Sequence, residues 1–123
     1  MRESGVLMPV SALPSPTGVG ELGRQAHQFI ELLSRNGVKI WQILPLNPVG
    51  YGNSPYQPYS SCAGDEIYIS LESLQEEGLL EKQPEPFLEG ETRVRYDEIR
   101  AFKEPFLREA FARFQPTDDY REF

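Results

Sequence analysis

The residues best suited to chemistry lie in one segment, Gly50-Tyr51-Gly52-Asn53-Ser54-Pro55-Tyr56-Gln57-Pro58-Tyr59-Ser60-Ser61. Sugars present apolar ring faces edged with hydroxyl groups. Aromatic side chains cover such faces, and Ser, Asn, Gln and Tyr side chains hydrogen-bond the edges. Glycines let backbone come close to a ligand. The competing reading is an aromatic-rich loop packed on its own domain. Elsewhere the chemistry is thin. Cys62 and His27 are the single cysteine and single histidine. A thiol nucleophile needs a base beside it, and His27 falls on the polar flank of a predicted helix. Cys62 therefore reads as a small buried side chain. One His and one Cys exclude a dense His/Cys metal site within the chain, and no metal is expected.

The elements that must position this segment are legible by periodicity. Gly5 to Val10 is a short apolar run, as in a parallel strand buried on both faces. Leu22, Ala26, Phe29, Ile30 and Leu33 form one stripe at helical spacing, and Asn36-Gly37 ends that helix. Val38 to Leu46 reads as a second strand. Strand, helix, strand is a βαβ unit with a parallel pair. The stretch from Asn47 to Gly64 then exceeds an ordinary connection, and loops of that length are usually functional. It follows the C-terminal end of a parallel strand, where barrel and open-sheet enzymes place their sites.

Beyond it, Glu66 to Ser70 reads as a short strand and Leu71 to Glu77 as a brief helix capped by Gly78. Tyr96, Ile99, Phe102, Phe106, Leu107, Ala110, Phe111 and Phe114 mark a second amphipathic helix, kinked or restarted at Pro105. Two fully apolar parallel strands need cover on both faces, and no further regular βα unit follows. The elements begin a larger architecture.

Composition narrows the function classes. Hydrophobic residues make up 39% and charged residues 25% of the 123, an ordinary folded composition. The formal net charge of −7 opposes a nucleic-acid partner and suits a neutral substrate. The lone cysteine gives no sign of an oxidising compartment. No apolar run approaches the roughly 20 residues of a membrane span. The N-terminal apolar stretch is too short and too interrupted, by Pro9, for a signal peptide. These features together point to a cytoplasmic protein that does not engage a membrane.

Two motifs are set aside. Gly18-Val19-Gly20-Glu21-Leu22-Gly23 matches a dinucleotide fingerprint in letters. Pro14 and Pro16 separate it from the strand, however, and no acidic residue ends the second strand. It reads as a turn whose glycines permit positive φ. Two P-x-x-P matches, at Pro45-Leu46-Asn47-Pro48 and Pro55-Tyr56-Gln57-Pro58, read as loop stiffening rather than as free polyproline ligands.

Several pieces carry a family resemblance over nearly the whole chain. They are Ser4-Gly5-Val6-Leu7, Ser11-Ala12-Leu13-Pro14-Ser15-Pro16, the Gly18 to Gly23 turn, Trp41-Gln42-Ile43-Leu44-Pro45-Leu46, Gly50 to Gln57, and Phe102-Lys103-Glu104-Pro105-Phe106-Leu107. Together they resemble the N-terminal region of 4-α-glucanotransferases of the amylomaltase, or disproportionating, type. The resemblance implies an α/β fold: the N-terminal portion, residues 1–123, of a (β/α)8 TIM barrel with long active-site loop insertions, not completed within this chain. It implies a cytoplasmic enzyme of carbohydrate metabolism, without cofactor, acting on maltooligosaccharides, amylose and similar α-glucans. It implies substrate contacts at Ser54 and Tyr56 and a secondary glucan site at Tyr51. The family's catalytic carboxylates would fall beyond Phe123, so no catalytic residue is expected here and the segment alone is expected to be inactive. The alternative is a stand-alone, non-catalytic α-glucan-binding module. Asn53 stands where the family often has Asp, Cys62 where it often has Phe, and Met8-Pro9 where it often has a histidine-containing turn.

Overall fold

The computed structural model describes residues 2–122. Two short strands, β1 (Gly5–Leu7) and β2 (Ile40–Gln42), pair in parallel with Val6 opposite Trp41. Helix α1 (Arg24–Arg35) crosses between them, so the βαβ unit expected from periodicity is present. Both strands are shorter than the apolar runs suggested. Met8 and Pro9 end the first, and Val10–Ala12 turns into a 3-10 helix. Leu22 lies ahead of α1 and is exposed rather than on its stripe. Asn36 caps α1 and Gly37 takes φ +73°, as its sequence position predicts.

The strands are also more exposed than expected. Leu7 is 58% and Ile40 is 46% exposed; among the described residues the sheet has no third strand, and α1 packs on one side of it through Phe29. The indole of Trp41 fills that side. Its ring meets Phe29 edge-on at 5.1 Å, and its N–H donates to the Met8 carbonyl at 2.8 Å.

The core lies to one side of the sheet. Val10, Leu13, Val19, Ala26, Ile67 and Ile99 form one buried cluster. A second, of Leu71, Leu80 and Ala110, joins α2 (Leu71–Glu76) to α3 (Tyr96–Arg113). Helix α3 runs through Pro105 without restarting there. The proline forfeits one backbone bond, but Phe102 and Phe106 on either side of it pack into the second cluster and hold the helix. Residues 66–68 form a 3-10 helix instead of the expected strand, because the Asp65 carboxylate accepts from the Ile67 N–H and starts a helical turn. The short helix α4 (Asp118–Glu122) was not expected; Tyr120 on it packs edge-on against Phe114 at 5.2 Å.

The glycine turn works by close approach. A Cβ on Gly20 would lie 1.7 Å from the Val10 carbonyl oxygen, and one on Gly23 would lie 2.5 Å from Ser70 Oγ. Gly18 alone needs positive φ, at +78°. Glu21, inside that turn, is 3% exposed and pairs with Lys103 of α3, which is 1% exposed, at 2.7 Å. The ammonium also donates to the carbonyls of Ile67 and Ile69 at 2.6 and 2.7 Å, and Thr17 donates to the same Glu21 oxygen. Burial pulls the Lys103 ammonium below its ordinary 10.5, opposed by the charge of Glu21 and its hydrogen bond.

Removing one partner leaves the other buried and uncompensated. Lys103→Met is therefore expected to destabilise the chain by about 3–5 kcal/mol. Adding Glu21→Leu to it should recover much of that loss. Urea denaturation followed by circular dichroism checks both, and a Lys103→Met variant as stable as the parent would refute the role of the pair.

Candidate functional site

The long loop leaves the end of β2 and returns through Asp65, and its base is closed by hydrogen bonds. Asp65 N–H donates to the Leu46 carbonyl at 2.7 Å, and Asn47 Nδ2 donates to the Ala63 carbonyl at 2.9 Å. Within it, Val49 opposes Pro58 in an antiparallel bridge. Gly50 N–H donates to Gln57 O and Tyr59 N–H to Pro48 O. The loop is thus a small hairpin whose tip carries a 3-10 turn at Tyr51–Asn53. That turn needs positive φ at Gly52 (+80°) and Asn53 (+53°), residue types that tolerate it.

Ser54, Tyr56 and Tyr51, the residues singled out in the sequence, all stand on this hairpin. The Ser54 hydroxyl accepts weakly from the Tyr56 N–H at 3.4 Å. Tyr51 is 95% and Tyr56 is 72% exposed, and so is Tyr59, at 81%. All three rings are largely exposed among the described residues. Cys62 is exposed, not buried, beside Ser60, whose hydroxyl accepts the N–H groups of Cys62 and Ala63 and forms the turn that displays it. His27 is exposed on α1. No charged residue occurs from Asn47 to Gly64, although charged residues make up 25% of the chain. The loop therefore offers aromatic faces, hydroxyls and amides, and no ionic partner for a phosphate or carboxylate. Among the described residues no group of three or more His, Cys, Asp and Glu could hold a metal ion, and no helix is long and apolar enough to cross a membrane.

The inner side of the hairpin covers a small cavity of about 130 Å³ lined by Val10, Leu46, Val49, Pro55, Tyr68 and Tyr96. Burial pushes the Tyr68 phenol up to about 12, with Tyr96 and Asp65 adding to the effect, so it stays a protonated donor.

A clamp that sequence reasoning missed fixes the base. The Arg100 guanidinium grips both carboxylate oxygens of Asp65, at 2.8 and 2.5 Å, and reaches Glu66 at 3.3 Å. Burial by itself would raise the Asp65 carboxyl. The bidentate bonds from Arg100, the Ile67 N–H and the Arg100 charge outweigh it and hold the group below its ordinary 3.8. The signal available in sequence was slight: Arg100 and Lys103 sit within the apolar spacing of α3, where an unpaired charge would be costly.

These features define a class of protein. A parallel βα unit carrying a long, uncharged, aromatic loop at the C-terminal end of its second strand is the opening of a (β/α) barrel or an open parallel sheet, built toward the face where such folds hold their sites. The 4-alpha-glucanotransferase family profile matches residues 8–123, and the chain belongs to that family. It is 44% identical over 114 residues to the 4-alpha-glucanotransferase of Thermus thermophilus, covering 93% of this chain and 22% of the relative. It is 46% identical over 119 residues to the Synechocystis enzyme, covering 93% and 23%. A solved amylomaltase from Streptococcus agalactiae, in complex with acarbose, superposes with a TM-score of 0.85 at 33% identity over 99% of this chain and 25% of its own. The fold is the N-terminal portion of that barrel, and the chain spans about a quarter of the length of these relatives.

The clamp yields a pH dependence. A carboxyl whose folded value lies below its unfolded one contributes stability that is complete above the unfolded value and lost as pH falls through the folded one. Arg100→Met is expected to remove about 1.5–3 kcal/mol at neutral pH and to flatten the acid-side loss below about pH 4. Urea melts at pH 7 and in the acid range measure both, and parallel pH profiles for the two proteins would refute the clamp.

Proposed function

We propose that residues 1–123 form the N-terminal part of the catalytic barrel of a 4-α-glucanotransferase. Such an enzyme moves a segment of an α-1,4-glucan to the 4-hydroxyl of glucose or another glucan. In this reading Ser54 and Tyr56 contact the glucan in the cleft, and Tyr51 serves a secondary glucan site. The observation that carries it is the hairpin: three exposed tyrosines on a loop without charges, in a chain of this family. Identity of 44–46% to whole transferases, over a quarter of their length, favours an enzyme part over a stand-alone glucan-binding module.

The reaction would be retaining. One carboxylate attacks the anomeric carbon and displaces the leaving glucan, whose oxygen takes a proton from the acid/base. That base then activates an incoming sugar hydroxyl in place of water. We assign neither carboxylate to this segment. Its contribution is orientation: a ring over a sugar face and a hydroxyl at its edge hold the reacting bond toward those groups. Maltooligosaccharides and amylose are the substrates in this reading, the enzyme works without a cofactor, and its place is the cytoplasm and carbohydrate metabolism.

The 123-residue chain alone is expected to release no glucose from maltotriose; product above a blank would contradict the absence of catalytic groups. In the complete enzyme Tyr56→Ala should lower kcat/KM on maltotriose and amylose alike, because it acts near the reacting sugar. Tyr51→Ala should raise KM several-fold on amylose only, as expected for about 1 kcal/mol of aromatic contact at a remote site. Equal losses on both substrates for both variants, tracking their melting temperatures, would show that the rings support the loop rather than the sugar.

A further inference from the structure

The hairpin register separates two faces. Opposed residues of an antiparallel pair share a face, and alternate residues along each arm share it too. Val49 and Pro58 oppose each other, and Val49 lines the inner cavity. Pro48, Gly50, Gln57 and Tyr59 therefore lie on the other, outward face. The Tyr59 ring rests against Gly50: a Cβ there would lie 3.5 Å from Tyr59 Cζ, and 3.0 Å from the Gln57 carbonyl oxygen. What a Cβ would crowd is not the ring but the opposite strand: its tight approach is to the Gln57 carbonyl oxygen. The backbone beneath is held by the Tyr59 N–H bond to Pro48 O, at 3.0 Å, and by the proline rings at 48 and 58. Tyr59 and Gln57 are both exposed.

The geometry points to a further α-glucan contact: Tyr59 and Gln57, on the outward face at the base of the hairpin, form a platform for one glucose unit, apart from Ser54, Tyr56 and Tyr51. It rests on the reading that this segment handles α-glucans. An exposed tyrosine ring can cover the apolar face of a sugar, and the neighbouring amide can both donate to and accept from its hydroxyls. The absence of charge from Asn47 to Gly64 fits a neutral chain and offers a phosphate or an acidic peptide no ion pair. Tyr51 stands on the tip and Tyr59 at the base, so the two rings would meet a long glucan at separate units.

The test is an NMR titration of the complete enzyme with maltoheptaose. The Tyr59 ring and Gln57 side-chain amide signals are expected to shift. Tyr59→Ala and Tyr59→Leu should each weaken binding about three- to tenfold, while Tyr59→Phe and Tyr59→Trp keep it, because the ring face carries the contact. Tyr120→Ala, on α4 outside the hairpin, should change nothing. The amide spectrum reports folding at the same time, and should Tyr59→Ala fail to fold, Tyr59→Leu and Gln57→Ala decide. Shifts confined to Tyr51, Tyr56 and Ser54, with unchanged affinity in the Tyr59 variants, would overturn the platform and leave the glucan reading standing. No shift at any loop residue up to the solubility limit would overturn both.

Discussion

The arrangement depends on the buried pair of Glu21 and Lys103. An ammonium at 1% exposure is tolerable only where every donor finds an acceptor. Here the acceptors are one carboxylate oxygen and the carbonyls of Ile67 and Ile69, and no buried side-chain polar atom is left without a partner among the described residues. These bonds join three regions distant in sequence: the glycine turn before α1, the 3-10 helix after the long loop, and α3. The close approaches at Gly20 and Gly23 follow from the same constraint, since the turn must lie flat against its neighbours to bring Glu21 inward.

From this frame the site follows by short steps. Asp65 closes the hairpin base through its backbone and is itself held by Arg100, one turn of α3 before Lys103. One helix therefore fixes both the glycine turn and the far end of the loop. The hairpin between Leu46 and Asp65 is held at its base, and its tyrosines are left exposed. Neighbouring groups have opposite surroundings here: buried and ion-paired at the base, exposed and uncharged at the tip.

Much of this was legible in the sequence because periodicity and punctuation are local signals. The helix ending at Asn36-Gly37, the helix before Gly78 and the parallel pair follow from them. The exposed tyrosines of the loop were legible by composition. What escaped was non-local. Residues 66–70 have the β-branched and aromatic content of a strand, but among the described residues no strand pairs with them, and the Asp65 cap decides for a 3-10 turn. Pro105 reads as a break, yet packing of the phenylalanines around it overrides local preference. Cys62 reads as buried by residue type, yet the Ser60 turn exposes it. The ion pairs of α3 could not be matched from sequence, because their partners lie about 35 and 80 residues away.

That separation also bears on how the chain takes shape during synthesis. A ribosome adds roughly 5–20 residues per second, so Lys103 appears on the order of 4–16 s after Glu21. Throughout that interval the carboxylate has no cation to enter the interior with, and the glycine turn has no surface to settle on. The first strand and helix can pair and fray early. The loop that displays the tyrosines gains a fixed base only once α3 has emerged, so that exposed aromatic surface is among the last parts of this segment to become ordered on a nascent chain.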